Sequence, residues 1–189
     1  MKDKLRSSLT RNVFFTGIVS LFMDISSEMV YPLVPLFLTN VLGATKTTVG
    51  IIEGIAEATA SILKVFSGWL SDKLGKRKFL MTAGYGVSAL SRPVIASASV
   101  WTEVLLARFI DRTGKGVRTA PRDAIIADSV EKKNLGTAFG FHRTMDTTGA
   151  AIGPAAAFTL LFFFKDNLRL VFWASAIPAV IAVFVIIFF

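Results

Sequence analysis

The stretch LRLVFWASAIPAVIAVFVIIFF closes the chain at residues 168–189, and after Arg169 it holds no charged residue. Its length is about the ~20 residues a helix needs to cross the hydrocarbon layer of a bilayer. A water-soluble core has no use for such a run, and a chain that is 53% hydrophobic with 17 phenylalanines reads as one built for lipid. Apolar runs of spanning length recur at 13–38, 48–70, 79–98, 101–127, 137–164 and 168–189. In lipid each run must satisfy its own backbone polar groups, and the ten-residue alternation of a membrane barrel is missing. The expected fold is therefore an all-α membrane protein of six transmembrane helices.

Residues 1–12 read as a basic cytoplasmic tail, retained because no small-residue cleavage site follows, and residues 13–189 as one six-helix domain. Cytoplasmic loops carry the excess of lysine and arginine. One side collects Lys2, Lys4, Arg6, Arg11, Lys73, Lys76, Arg77, Lys78, Lys132 and Lys133, and the other only Lys46, Lys165 and Arg169. Both termini are thus expected on the cytoplasmic face of the plasma (inner) membrane. The last run ends at Phe189 with no interfacial anchor, so the sequence reads as a fragment or half of a longer protein.

Composition also excludes several functions. The net charge of +8 would suit nucleic acid, but many arginines lie inside apolar segments where no duplex reaches them. The chain has no cysteine and one histidine, His142, and no metal-ligand set stands out. TGKG at 113–116 lacks the glycine spacing and the Ser or Thr of a phosphate-binding loop. An enzyme is not expected, nor is a cofactor.

The fourth run carries an unusual load. At 100° per residue Arg108, Asp111, Arg112, Lys115, Arg118, Thr119 and Arg122 share an arc of about 140°. A charge at mid-bilayer costs on the order of 2.5–3.5 kcal/mol on insertion scales, so this face must meet protein or water. Arg122 and Asp123 sit near the helix end, where snorkelling or a local pair also explains them. Acids occur on other helices: Asp24 and Glu28 on the first, Glu53 and Glu57 on the second, Asp146 on the fifth. Asp24/Glu28 and Glu53/Glu57 are i,i+4 pairs on one face each. A carboxyl that titrates near neutral pH in such a setting can load and release a proton, and one that does not is a static counter-ion to the arginines. Lys64, Arg92 and Arg143 are further candidate partners. His142 and Asp146, also i,i+4, form either a titrating pair or a satisfied structural one. Pro32, with Pro35, and Gly149, Gly153 and Pro154 mark expected bending or close-packing points.

The stretch GWLSDKLGKRKFL, between the second and third runs, resembles the signature loop of the major facilitator superfamily, G-x-L-a-D-r-x-G-r-k-x-x-l. Gly68, Leu70, Asp72, Gly75, Lys76, Arg77 and Leu80 fall in place, with Lys73 for the usual arginine. In physical terms Gly75 permits the turn, Asp72 serves as a helix cap, and Lys76 and Arg77 reach acids at neighbouring helix ends. Glu28 with Pro32 resembles the acid-x-x-x-Pro element of proton-coupled drug exporters, and Gly149-x-x-x-Gly153-Pro154 their fifth-helix motif. Arg108 and Gly114 resemble the fourth-helix motif R-x-x-q-G-x-g, with Asp111 and Arg112 standing for its Gln and Gly. Asp128 resembles the acid that joins a charge relay with the signature loop, through Arg77.

The resemblance implies the N-terminal bundle of a two-bundle transporter, built as a 3+3 inverted repeat, working by alternating access. Its expected activity is proton-coupled efflux or antiport of a small solute. Arg112, Lys115 and Arg118 would favour an anionic solute, and Glu28, Asp24, Asp146 or His142 would carry the coupling proton. The expected partners are the bilayer, the solute and a second six-helix bundle, either a C-terminal half or a second copy. A membrane interaction subunit that transports nothing is the alternative from another class.

Overall fold

The computed structural model describes residues 9–188; Lys2, Lys4 and Arg6 of the basic tail, and Phe189, lie outside the described residues. Among these there are six long helices and no strand. Helix α1 (Arg11–Val30) is capped by Thr10, whose hydroxyl accepts from Val13 N at 3.4 Å. It continues through a 3-10 turn (Tyr31–Leu33), an α turn (Val34–Leu36) and a π turn (Phe37–Val41). Pro32 and Pro35 fall in this irregular stretch, where a residue without an N–H breaks the regular ladder.

Helix α2 (Lys46–Leu74) starts at Thr45, whose hydroxyl accepts from Thr48 N at 3.2 Å. It stops at Gly75, which takes φ 63°, and the Gly75 N–H bonds Ser71 O. An L side chain is disfavoured in that left-handed region. Helix α3 is Arg77–Ser97 and α4 is Trp101–Asp128, whose first turn is closed by Glu103 accepting from Ser99 N at 2.5 Å. Helices α5 (Leu135–Phe163) and α6 (Leu168–Phe188) follow, and Asn167 caps α6 by accepting from Leu170 N at 3.1 Å. Pro93, Pro121, Pro154 and Pro178 lie within unbroken helices.

The helices overrun the apolar runs at several ends: α2 begins at 46 and ends at 74, against 48–70 from hydrophobicity. Caps and the left-handed glycine set helix ends, whereas lipid sets only the apolar middle. Among the described residues, by length and apolarity alone, only Arg11–Val41 and Leu168–Phe188 qualify as spans.

Packing runs in the order α2, α4, α3, α6, α1, α5, so α2 and α5 have one principal neighbour each and stand at open edges. Glycines bring three seams close. A Cβ on Gly84 would lie 2.7 Å from Gly114 O across the α3–α4 seam. One on Gly116 would meet Leu63 Cβ of α2 at 2.7 Å, and one on Gly153 would meet Glu28 Cβ of α1 at 2.8 Å. Small residues at such crossings allow helices to pack without a hydrophobic drive. The main apolar core lies where Phe37 and Phe172 meet edge to face, with ring centroids 5.1 Å apart, near the α1–α2 turn. Large apolar side chains such as Val65, Phe66, Phe158 and Phe162 are exposed.

Candidate functional site

The ionic interior has two parts. In the first, Arg92 of α3 donates to Ser26 and Ser27 of α1, each at 2.9 Å, and to Asp111 of α4 at 3.1 Å. Asp111 also lies 3.9 Å from both Arg108 and Arg112. Arg108 grips Glu53 of α2 with two nitrogens, one of them at 3.0 Å, and Arg112 reaches Glu57 at 3.4 Å. The Tyr31 ring lies against both guanidiniums, 5.1 and 5.4 Å from its centroid, a cation–π contact on two residues at once. Arg92, Arg108, Asp111 and Arg112 are all buried. A buried charge is tolerated when it is paired and hydrogen-bonded, and this chain ties α1, α3, α4 and α2 together.

The second part is a cleft of about 320 Å³ between α1, α4 and α5, lined by Asp24, Glu28, Lys115, Arg143, Asp146 and Thr147. Here the pattern reverses. Among the described residues no side-chain hydrogen bond or ion pair engages Asp24, Glu28, Lys115 or Arg143. Lys115 also borders a smaller cleft, of about 190 Å³, beside Glu57 and Lys64 of α2. Asp146 is held differently. Its Oδ2 lies 3.5 Å from His142 Nδ1, while its buried Oδ1 has no hydrogen-bond partner. His142 Nε2 is 2.9 Å from Ser20 Oγ, which is 3.0 Å from the Tyr85 hydroxyl. A continuous polar chain therefore leads from the cleft into the buried interior.

At the end of the bundle that carries Gly75, Arg77 bonds Asp128 of α4 and lies 3.6 Å from Asp72. Arg122 is taken up locally by Asp123 at 2.9 Å, with Ser20 at 3.4 Å.

Several expected positions move. Asp72 caps nothing: it sits inside the last turn of α2 and pairs with Arg77, because the turn has shrunk to Gly75 and Lys76. The expected solute set of Arg112, Lys115 and Arg118 divides. Lys115 reaches the cleft, while Arg118 turns into the α3–α4 seam, donating to Ser88 at 2.6 Å beneath the Tyr85 ring. Arg112 is engaged by Glu57 and Asp111, as Arg108 is by Glu53. A Cβ on Gly68 would meet Ala120 Cβ at ordinary contact distance, while Gly149 and Gly153 lie on the α1 crossing beside Asp24 and Glu28. Arg143 appears in the sequence only as a possible counter-ion, and Tyr31 and Ser20 carry no signal there. Among the described residues no group of three or more His, Cys, Asp or Glu is placed to hold a metal ion.

A bundle with charges inside and large apolar side chains outside is inverted relative to a water-soluble fold, and this is the class that lipid selects. A model of the Major Facilitator Superfamily matches residues 16–189. An uncharacterized MFS-type transporter of Methanocaldococcus jannaschii is 34% identical over 169 residues, 89% of this chain and 42% of the relative. A probable 4-methylmuconolactone transporter of Cupriavidus pinatubonensis is 29% identical over 151 residues, 78% and 35% of the two chains. The quinolone resistance protein NorA of Staphylococcus aureus is 26% identical over 142 residues, 75% and 36% of the two chains. The chain belongs to the major facilitator superfamily, a family of membrane transporters. It spans less than half the length of these relatives.

Proposed function

We propose that the chain is the N-terminal six-helix bundle of a secondary active transporter that exchanges a small solute for protons across the plasma (inner) membrane. The observation that carries this reading is the cleft between α1, α4 and α5, where Asp24, Glu28, Lys115 and Arg143 have no engaged partner. Asp24 and Glu28 are half-buried and Lys115 and Arg143 exposed along the cleft, so a ligand entering it meets charged groups of both signs that hold no ion pair. Lys115 and Arg143 hold the solute's anionic group. Asp146, joined to His142, Ser20 and Tyr85, passes the coupling proton. Efflux draws support from a relative named for quinolone resistance, and transport of a small organic solute from one named for 4-methylmuconolactone. The ten-to-three lysine and arginine asymmetry supports cytoplasmic termini.

Alternating access requires a second six-helix bundle to close the cleft, and the open edges at α2 and α5 offer it a surface. The Arg77–Asp128 pair ties the α2–α3 turn to α4 at the cytoplasmic gate. The test is solute-induced proton movement in vesicles carrying the full protein with an imposed pH gradient. Collapsing the gradient is expected to stop net flux, and Asp146→Asn to abolish proton movement while solute still binds. Flux indifferent to the gradient would overturn proton coupling, and no flux of any solute would overturn transport.

A further inference from the structure

The cleft's charges come in both signs. Asp24 and Glu28 project from α1, Lys115 from α4 and Arg143 from α5, around one space of about 320 Å³. Elsewhere in this interior Arg92, Arg108 and Arg112 each hold a carboxylate, yet these two bases and two acids share a cleft without pairing. We infer that the ligand of this cleft is a small zwitterion, an ammonium and a carboxylate on one skeleton, an inference that rests on the transport reading above for its physiological role. A simple anion would meet Lys115 and Arg143 but leave two like charges facing it from α1. A simple cation would satisfy the acids and leave the two bases opposed. Only a molecule with both poles leaves no charge facing its like, and electrostatic complementarity of this kind discriminates partners more than it adds affinity.

The seam between α1 and α5 sets the spacing of the poles. Asp24 Cβ lies 3.0 Å from where a Cβ of Gly149 would be, and Glu28 Cβ 2.8 Å from that of Gly153. Arg143 precedes Gly149 by six residues, about 9 Å along the helix at 1.5 Å per residue. The long arginine side chain covers part of that offset. The poles of the ligand are therefore separated by a spacer, as in an ω-amino acid, rather than carried on one carbon. Asp146 is a third acid of the cleft, with Oδ2 facing His142 and Oδ1 without a partner, so acids and bases both remain for a ligand with two poles.

Binding and flux of three probes test this in vesicles holding the full protein: 6-aminohexanoate, its N-acetyl derivative, which keeps only the anion, and its methyl ester, which keeps only the cation. The zwitterion is expected to bind at least tenfold more tightly than either derivative. Asp24→Asn with Glu28→Gln should erase discrimination against the N-acetyl form, and Lys115→Ala with Arg143→Gln discrimination against the ester. Monodisperse elution and an unchanged unfolding midpoint confirm folded variants, and Arg143→Lys should restore part of the preference. An N-acetyl form that binds as tightly as the zwitterion, or no binding by any probe, overturns the inference. Flux of the N-acetyl form alone would leave transport standing, and zwitterion binding without flux would leave the site standing and remove transport.

Discussion

On the α2 side of α4, Arg108 and Arg112 are clasped by Glu53 and Glu57 and share Asp111 with Arg92. On the α5 side, one helical turn further along the same helix, Lys115 looks across at Asp24, Glu28 and Arg143 with no pair formed. The two regions have similar charge composition and opposite engagement. The first is a closed circuit that ties four helices together, and the second is an open one in which no pair is formed. Where packing lets a guanidinium meet a carboxylate the charge becomes structural, and where α1 and α5 close on glycines instead, it stays available.

Substitutions can break that contrast, beginning with the largest effect. Asp111→Ala leaves Arg92 buried without its carboxylate, and a broken buried pair costs about 3–5 kcal/mol; a collapse of the unfolding midpoint in detergent is the expected reading. Unchanged stability there would mean that the circuit does not hold the helices together. Gly84→Ala drives a methyl to within 2.7 Å of Gly114 O, and overpacking of this kind costs about 1–3 kcal/mol. Gly86→Ala on the same helix meets nothing within 4 Å and serves as the control, with no loss expected. Glu53→Gln weakens the Arg108 clasp by about 1.5 kcal/mol, the lower end for hydrogen bonds to charged groups, since Glu53 is partly exposed. Asp72→Asn removes a mostly exposed partner of Arg77 and should shift stability by less than about 1 kcal/mol. Lys115→Ala, at an exposed side chain with no ion pair, should move stability by less than about 0.5 kcal/mol while solute flux falls at least tenfold. Matched losses of stability and flux at Lys115 would place it in the structural circuit instead.

Much of this was legible before any coordinates. The six apolar runs correspond to the six helices, since a run of about twenty apolar residues is local information. The arc on α4 announced an ionic face, but an arc of 140° is wide enough to touch several neighbours. Arg108 and Arg112 went to α2, Asp111 and Arg118 to α3, and Lys115 to the cleft, and only the crossing of helices makes that division. Arg143 escaped notice as a lining residue because nothing in its local sequence separates a cleft base from a counter-ion. Tyr31 lies inside the acid-x-x-x-Pro element that draws attention to Glu28 and Pro32, and its role as a platform for two arginines depends on where α4 packs.

The helices, the charged face of α4 and the tight turn at Gly75 are written in the sequence, because each depends on neighbours within a few residues along the chain. Tertiary structure decided which charges cancel. Pairing energy depends on the separation of groups far apart in sequence, such as Glu53 and Arg108 or Ser26 and Arg92, and that separation is fixed only by how the helices pack against one another.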